Sequence, residues 1–377
     1  MVMECTLKIA VDALQVTPHG AGVARYIREL LSSLPDVLRH TERVTAVVQR
    51  GALAVLPAPS SCITYRVFPD GPTWQRIVTQ QLWLPSIAKT VDLVHFPDYL
   101  TPFRWMGTPF VLTIHDMAYA ADERFFTAGQ RRLRRFANPL GIRRASHLIV
   151  DSQFTRSEVL RLFPDLSGSK VSVIYPGVPR FATPATSAEV VKRYGLPSRF
   201  VLSVGTLEPR KNMECLLEAF ARPELACESL VLVGPAGWGP GLERRVRAHP
   251  DLARRIFITG HIPDADLAGL YQEATAFAYV SLYEGFGFPL LEALSAGLAA
   301  VASNIAVLRE TTRGAVLYVD PTSPESIARG IGRLLGSSEL RARIGKAGEQ
   351  VAHSYTWRSC ADGVMDVYRE TASRLDA

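Results

Sequence analysis

At 377 residues the chain exceeds what one hydrophobic core comfortably serves and is long enough for two domains. Its 47% hydrophobic and 21% charged content is that of an ordinary globular protein. No apolar run reaches the length of a membrane span and Met1–Lys8 has no signal-peptide layout, so the cytoplasm is the expected compartment. The net charge of +6, mostly from arginine, favours polyanionic partners: phosphates, anionic lipid surfaces or nucleic acid. Five scattered cysteines without CxxC spacing exclude a disulfide framework and a zinc site.

In chain order, Lys8-Ile-Ala-Val11 reads as a buried strand, followed by the loop His19-Gly-Ala-Gly22 and a helical run from Val23 to Leu31. Strand, glycine loop and helix form the first unit of a doubly wound sheet, although Gly20 and Gly22 lack the third glycine of a dinucleotide fingerprint. Further strand-like runs lie at 44–48, 63–67, 93–96, 110–114 and 148–150. Their continuous apolar character predicts parallel strands covered on both faces. His115 follows the run 110–114, at the strand end that faces the ligand crevice in such sheets. It reads either as a cleft residue or as a hydrogen-bonded structural histidine. The stretch 129–140, with Arg143 and Arg144 beyond it, places Leu133, Phe136 and Leu140 on one helical face among arginines. It reads as a plain amphipathic surface helix or as an interfacial helix resting on anionic lipid.

Proline and small polar residues between Ile174 and Pro197 predict an inter-domain linker. The α/β rhythm then resumes, with strands expected at 200–204, 230–233, 256–259, 276–280, 299–302 and 316–319. Helices are expected at 213–221, 242–248, 264–274, 289–296 and 324–335. The fold class expected is therefore α/β, two doubly wound Rossmann-like halves, residues 1–177 and 178–354, with a cleft between them. A helical tail at 340–374 is expected to pack its last part, about 355–377, back on the first half.

The chemistry concentrates in the second half. Ser281-Leu-Tyr-Glu-Gly-Phe-Gly-Phe-Pro-Leu-Leu-Glu reads as a glycine turn opening a helix, which aims backbone N–H groups and the positive helix end at one point. Glu284 and Glu292 flank that point. Carboxylates beside an anion site suit hydroxyl groups, so the ligand is expected to be a phosphorylated polyol such as a sugar nucleotide. Gly205-Thr-Leu-Glu-Pro-Arg-Lys-Asn212 ends the first strand of the same half and places Arg210 and Lys211 before a helix, where cations are unfavourable unless an anion sits there. The chain is read as lacking an Asp-x-Asp metal triplet, so no metal is expected. The basic residues show no nucleic-acid motif.

These segments, together with Gly20-Ala-Gly22, His115, Gly260-His-Ile-Pro263 and Val319-Asp-Pro-Thr-Ser-Pro324, resemble the retaining glycosyltransferases of family four, with the two-Rossmann glycosyltransferase-B fold, over almost the whole chain. The resemblance implies that Arg210 and Lys211 hold the donor diphosphate near Gly205 and Thr206, and that Glu292 holds the ribose. It implies that Glu284, with the backbone of Gly285, Phe286, Gly287 and Phe288, orients the donor sugar. The base would lie near His261 and Ile262, Gly20 and Gly22 would close on the phosphates, and His115 would face the sugar. Two departures stand out: Thr206 occupies a position where some members carry arginine, and Gly297-Leu-Ala-Ala-Val301 replaces Gly-x-Pro-Val-Val. The expected reaction is retaining, metal-independent transfer of a hexosyl unit, mannosyl by the likeness of Gly205–Asn212 to mannosyltransferases of that kind, from GDP-mannose or a UDP-sugar, to a saccharide or lipid-linked saccharide in surface polysaccharide assembly. A nucleotide-sugar 2-epimerase on the same fold and a catalytically silent sugar-nucleotide-binding subunit are the alternatives. Hydrolysis by the carboxylate pair suits the phosphate-binding context poorly.

Overall fold

The computed structural model describes residues 7–18, 20, 22–104, 107–179, 187–237, 244, 246 and 249–374. The chain divides into two compact units, one of residues 1–121, 128–177 and 355–377, the other of residues 122–127 and 178–354.

The first unit is built on seven strands: β1 (Leu7–Asp12), β2 (Glu42–Gln49), β3 (Ile63–Phe68), β4 (Leu93–Phe96), β5 (Phe110–Ile114), β6 (His147–Val150) and β7 (Val171–Val173). They pair in the order β3-β2-β1-β4-β5-β6-β7, every pair parallel. In register, Ile9 and Ile63 flank Val44 across three adjacent strands, so the continuous apolar runs become one buried layer. The order reverses beside β1, which makes the loops after β1 and β4 the two sides of a topological switch point. Strand β7 was not expected; three residues, Val-Ser-Val, are too short to stand out in sequence.

The expected helical tail is two helices. Ser338–Ala352 belongs to the second unit and Trp357–Ser373 to the first, the latter capped by Thr356, whose hydroxyl accepts from Ser359 N–H. Cys360, Val364, Met365 and Tyr368 join the core of β1, β2 and β4. Tyr368 Oη sits 2.6 Å from His95 Nδ1, and His95 Nε2 2.8 Å from Thr113 Oγ1. Burial pushes His95 down to about 3, so the ring is neutral, the tyrosine donates to Nδ1 and Nε2–H donates to the threonine. At the rim Arg369 forks onto Glu42 at 2.8 and 3.0 Å.

The second unit has six strands, β8 (Val201–Val204), β9 (Leu230–Val233), β10 (Ile256–Gly260), β11 (Ala276–Tyr279), β12 (Ala300–Ser303) and β13 (Leu317–Val319). They form an all-parallel sheet in the order β10-β9-β8-β11-β12-β13, with its own switch point between β8 and β11. Helix Ser338–Ala352 crosses helix Phe288–Ser295 so closely that a Cβ on Gly345 would stand 2.2 Å from Gly297 O, and one on Gly348 2.6 Å from Leu294 Cδ2. This crossing anchors the helix that carries Glu292.

One expectation is corrected. The proposed linker contains helix Ser187–Arg193, because Ser-Ala-Glu-Val-Val-Lys-Arg is a helix-favouring run between prolines. Asp266 pins its end, accepting from Arg193 and Tyr194 at 2.7 Å each. The arginine-rich helix runs Ala128–Arg144 and buries Ala137, Gly141 and Ile142, while Leu133 and Phe136 face outward. The expected helix at 242–248 lies outside the described residues except for Arg244 and Val246, both helical. Among the described residues no helix is long and apolar enough to cross a membrane.

Candidate functional site

The site is built where β8 and β11, neighbours in the second sheet, end side by side. After β8 the chain passes Gly205, where a φ of 153° and the close approach of Lys211 (3.2 Å from a notional Cβ to Cε) favour glycine. Pro209–Lys211 forms one 3-10 turn, and Asn212 follows in the left-handed conformation at φ 58°. The Asn212 amide compensates for that backbone by donating to Val280 O at 3.0 Å and Pro321 O at 2.7 Å. A backbone bond of 2.8 Å from Leu282 N–H to Arg210 O clasps the two loops together. After β11 the chain turns through Gly285 and Gly287, the latter at φ 94°, into helix Phe288–Ser295.

These loops bring together two cations and two carboxylates. Glu284 Oε1 accepts from Lys211 Nζ at 2.6 Å and from Tyr279 Oη at 2.8 Å, and Oε2 accepts from Arg210 Nη1 at 2.8 Å. Arg210 also binds Glu208 Oε1, through Nε at 2.9 Å and Nη2 at 2.8 Å, and Tyr283 O at 3.1 Å. Lys211 Nζ is 2.8 Å from Tyr279 Oη and 4.8 Å from the centre of that ring. Burial alone would raise Glu284, but the Lys211 ammonium and the Arg210 guanidinium outweigh it and hold the carboxyl at about 2. Burial pulls Lys211 below the ordinary lysine value, with Glu284 opposing.

The expected need of these cations for a bound anion is thereby corrected: Glu284 and Glu208 are the anions, and the four formal charges sum to zero. A diphosphate must therefore share the cations or displace a carboxylate from them. Glu292, in the second turn of its helix, is buried and accepts from Tyr271 Oη at 3.1 Å. Thr206 is half-buried in the β8 loop. His261 is exposed and Ile262 buried just past β10, two strands from β8, and Gly260, the last residue of that strand, has φ 73°. Gly260 O accepts from Gly234 N–H at 2.9 Å, and a Cβ on Gly234 would stand 2.1 Å from Gly205 O. Gly234 thus lets the loops after β8, β9 and β10 lie against one another.

Sequence reasoning passed over Gly234, Tyr279 and Tyr271. Tyr279 ends an apolar strand and reads as core; only its position directly before the Ser281–Glu284 loop hints otherwise. The expected lack of an Asp-x-Asp triplet is corrected: Asp264-Ala265-Asp266 is one, opening helix Asp264–Glu273, with both Asp266 oxygens taken by Arg193 and Tyr194. Among the described residues no three His, Cys, Asp or Glu side chains converge as a metal set.

Gly20, Gly22 and His115 belong to the first unit. Gly22, at φ 59°, opens helix Val23–Ser33, and a Cβ on Gly20 would meet Ala24 Cβ at 2.5 Å. His19 and Ala21 lie outside the described residues. His115 Nδ1 is 2.7 Å from Asp151 Oδ2 and Nε2 2.9 Å from Pro97 O. A carbonyl only accepts, so Nε2 carries a proton. Burial opposes a second, but the Asp151 carboxylate lifts His115 to about 9 and the ring is an imidazolium with both N–H groups on protein acceptors. That is the structural reading of this histidine; in this arrangement no ring nitrogen is left for a substrate.

Two doubly wound parallel sheets in one chain, with paired cations and carboxylates at the switch point of the second, define a two-Rossmann enzyme of the glycosyltransferase-B class. Comparison with known proteins gives the family: residues 190–351 match the glycosyl transferases group 1 model and residues 20–180 the glycosyltransferase family 4 model. The chain belongs to glycosyltransferase family 4 and is a glycosyltransferase. It is 29% identical to O-antigen chain mannosyltransferase B of Escherichia coli over 285 residues, 74% of each chain. With a D-inositol 3-phosphate glycosyltransferase of Salinispora tropica it shares 30% identity over 301 residues, 73% of this chain and 61% of the relative. Sucrose-phosphate synthase from Thermosynechococcus elongatus has the same fold, with a TM-score of 0.73 at 20% identity over 98% of this chain and 100% of that one.

Proposed function

We propose that the chain transfers a mannosyl unit from GDP-mannose to a saccharide or lipid-linked saccharide of a surface polysaccharide, with retention of configuration and without a metal. The observation that carries it is Glu284 held between Arg210 and Lys211. The mannosyl assignment rests on the E. coli O-antigen relative, and retention on the family resemblance. The free thiols of Cys62, Cys215, Cys227 and Cys360 suit a reducing, cytoplasmic setting.

In this reading the resting site is a charge-neutral stand-in for the loaded one. The donor diphosphate takes the two cations and Glu284 turns to the sugar hydroxyls, while Glu292 holds the ribose. Negative charge grows on the departing diphosphate, so fixed cations stabilise the transition state more than the ground state. One such pair at about 4 Å and an effective dielectric near 20 contributes roughly 4 kcal/mol, close to a thousandfold in rate. His115 acts through the loops it ties, holding Asp151 and Pro97, and is a positioning residue.

The test is release of nucleoside diphosphate from GDP-mannose, UDP-glucose and UDP-N-acetylglucosamine with an acceptor extract, with and without EDTA, and the anomeric coupling of the product by NMR. Turnover of GDP-mannose unaffected by EDTA, giving the α-anomer, supports the proposal. Exclusive use of a UDP-sugar overturns the donor, inversion overturns the stereochemistry, and loss in EDTA overturns metal independence. Conversion of donor without acceptor assigns an epimerase, and binding without turnover a silent subunit.

A further inference from the structure

The first unit presents an apolar surface that its fold leaves uncovered. Helix Thr73–Ala88 buries Gln80, Leu84 and Ala88 and turns Trp74, Val78 and Leu82 outward at four-residue spacing, with Trp74 66% and Leu82 68% exposed. Trp83 beside them packs on Phe68 of β3, ring centres 5.9 Å apart. Gln81 Oε1 accepts from Phe103 N–H at 2.8 Å, and Phe103 in turn packs on Phe136 of helix Ala128–Arg144 at 5.9 Å. Arg144 Nη1 donates to Phe103 O at 2.7 Å and closes the connection. Phe136 is itself 68% exposed. The two helices, Phe103 between them and the edge of β3 therefore form one continuous face of outward aromatic and aliphatic side chains.

Charge on the two helices has one sign. Helix Ala128–Arg144 carries six arginines and helix Thr73–Ala88 carries Arg76, and neither contains an aspartate or glutamate. Large apolar side chains set among cations complement an anionic bilayer surface: the rings and leucines enter the headgroup boundary and the guanidiniums stay level with phosphates. A second copy of the chain is a poor occupant, since a two-fold interface would set these arginines against themselves.

We propose that this face seats the protein on an anionic lipid bilayer. Neither signal suffices alone: the apolar area is modest and surface charge is screened by salt. Together they give reversible docking that depends on both lipid charge and ionic strength. The inference does not depend on which donor or acceptor the enzyme uses.

Flotation of the full chain with vesicles tests it, using phosphatidylcholine alone and phosphatidylcholine with a third phosphatidylglycerol, at low and high salt. The chain is expected to float with anionic vesicles at low salt and to remain below with neutral ones. Trp74→Ser with Leu82→Ser, and separately Arg132→Glu with Arg135→Glu, are each expected to lower partition roughly tenfold or more, without change in circular dichroism or melting temperature. All four positions are exposed, so folding is spared. Absence of flotation with anionic vesicles, or equal partition of wild type and both variants, overturns the proposal. So does self-association abolished by the same variants, which gives the face to a second copy. Retention of a single-stranded oligonucleotide in place of lipid overturns it in favour of nucleic acid.

Discussion

Lys211 Nζ lies 2.6 Å from Glu284 Oε1, although 73 residues separate the two in the chain. They meet because the second sheet sets β8 beside β11, and because the backbone bond from Leu282 to Arg210 registers the loops that follow. A carboxylate and two cations neutralise one another here, so in the proposed function donor binding is an exchange of one anion for another.

That exchange makes Glu284→Gln informative. The amide cannot neutralise Arg210 and Lys211, so nucleoside diphosphate is expected to bind roughly tenfold tighter, about 1.4 kcal/mol. Turnover is expected to fall at least a hundredfold because the donor sugar loses its orienting carboxylate. Calorimetric titration with GDP alongside kcat measurement gives both numbers. Unchanged or weaker GDP affinity would show that Glu284 does not compete with the diphosphate.

Removing one member of the buried pair differs from removing both. Lys211→Met leaves Glu284 buried with less compensation and is expected to lower stability by about 3 kcal/mol. Lys211→Met with Glu284→Gln removes both charges and should recover most of that stability with no recovery of activity. Chemical denaturation of the two variants provides the check, and an additive loss in the double variant would mean the two residues are not energetically coupled.

Much of this site was legible in the sequence. Glu-Pro-Arg-Lys-Asn and the Glu284–Glu292 segment stand out by composition, and each follows a strand of the same half, which places them at one sheet edge. Their mutual pairing was not legible, because it depends on which strands are neighbours and on side-chain directions that no local pattern encodes. Tyr279 was hidden by its resemblance to core. Leu133 and Phe136 share a helical face that, in the sequence, suits a plain surface helix and an interfacial one alike. Helix Ala128–Arg144 packs through Ala137 and Gly141, whose small size permits the close approach, and this leaves the larger residues outside.

Gly234 shows the same limit, since nothing local distinguishes it from a glycine in any loop. Its φ is 145° and a Cβ there would stand 2.1 Å from Gly205 O, a backbone atom that moves only if the β8 loop moves. Gly234→Ala is therefore expected to destabilise the protein by about 2 kcal/mol or more, and to weaken GDP binding although residue 234 carries no functional side chain. Thermal melts with and without GDP measure both. A variant with wild-type melting temperature and affinity would show that the loop is free to shift.

The His115–Asp151 pair predicts how stability follows pH. His115 titrates at about 9 in the folded protein against 6.5 as the ordinary value, so the folded state holds its proton more tightly than the unfolded chain. The resulting stabilisation is complete below about pH 6.5 and is lost as pH rises towards 9, with a ceiling near 3 kcal/mol from that shift. Asp151, raised by burial, adds no opposing gain over this interval, because a carboxyl with a raised folded value loses stability, if anything, as pH increases. Melting temperature should therefore fall between pH 6.5 and 9, and His115→Gln should flatten that slope while lowering stability at pH 6.5. The Gln variant still offers an amide N–H to one acceptor, so a fold retained with the slope unchanged would place the titration on another group.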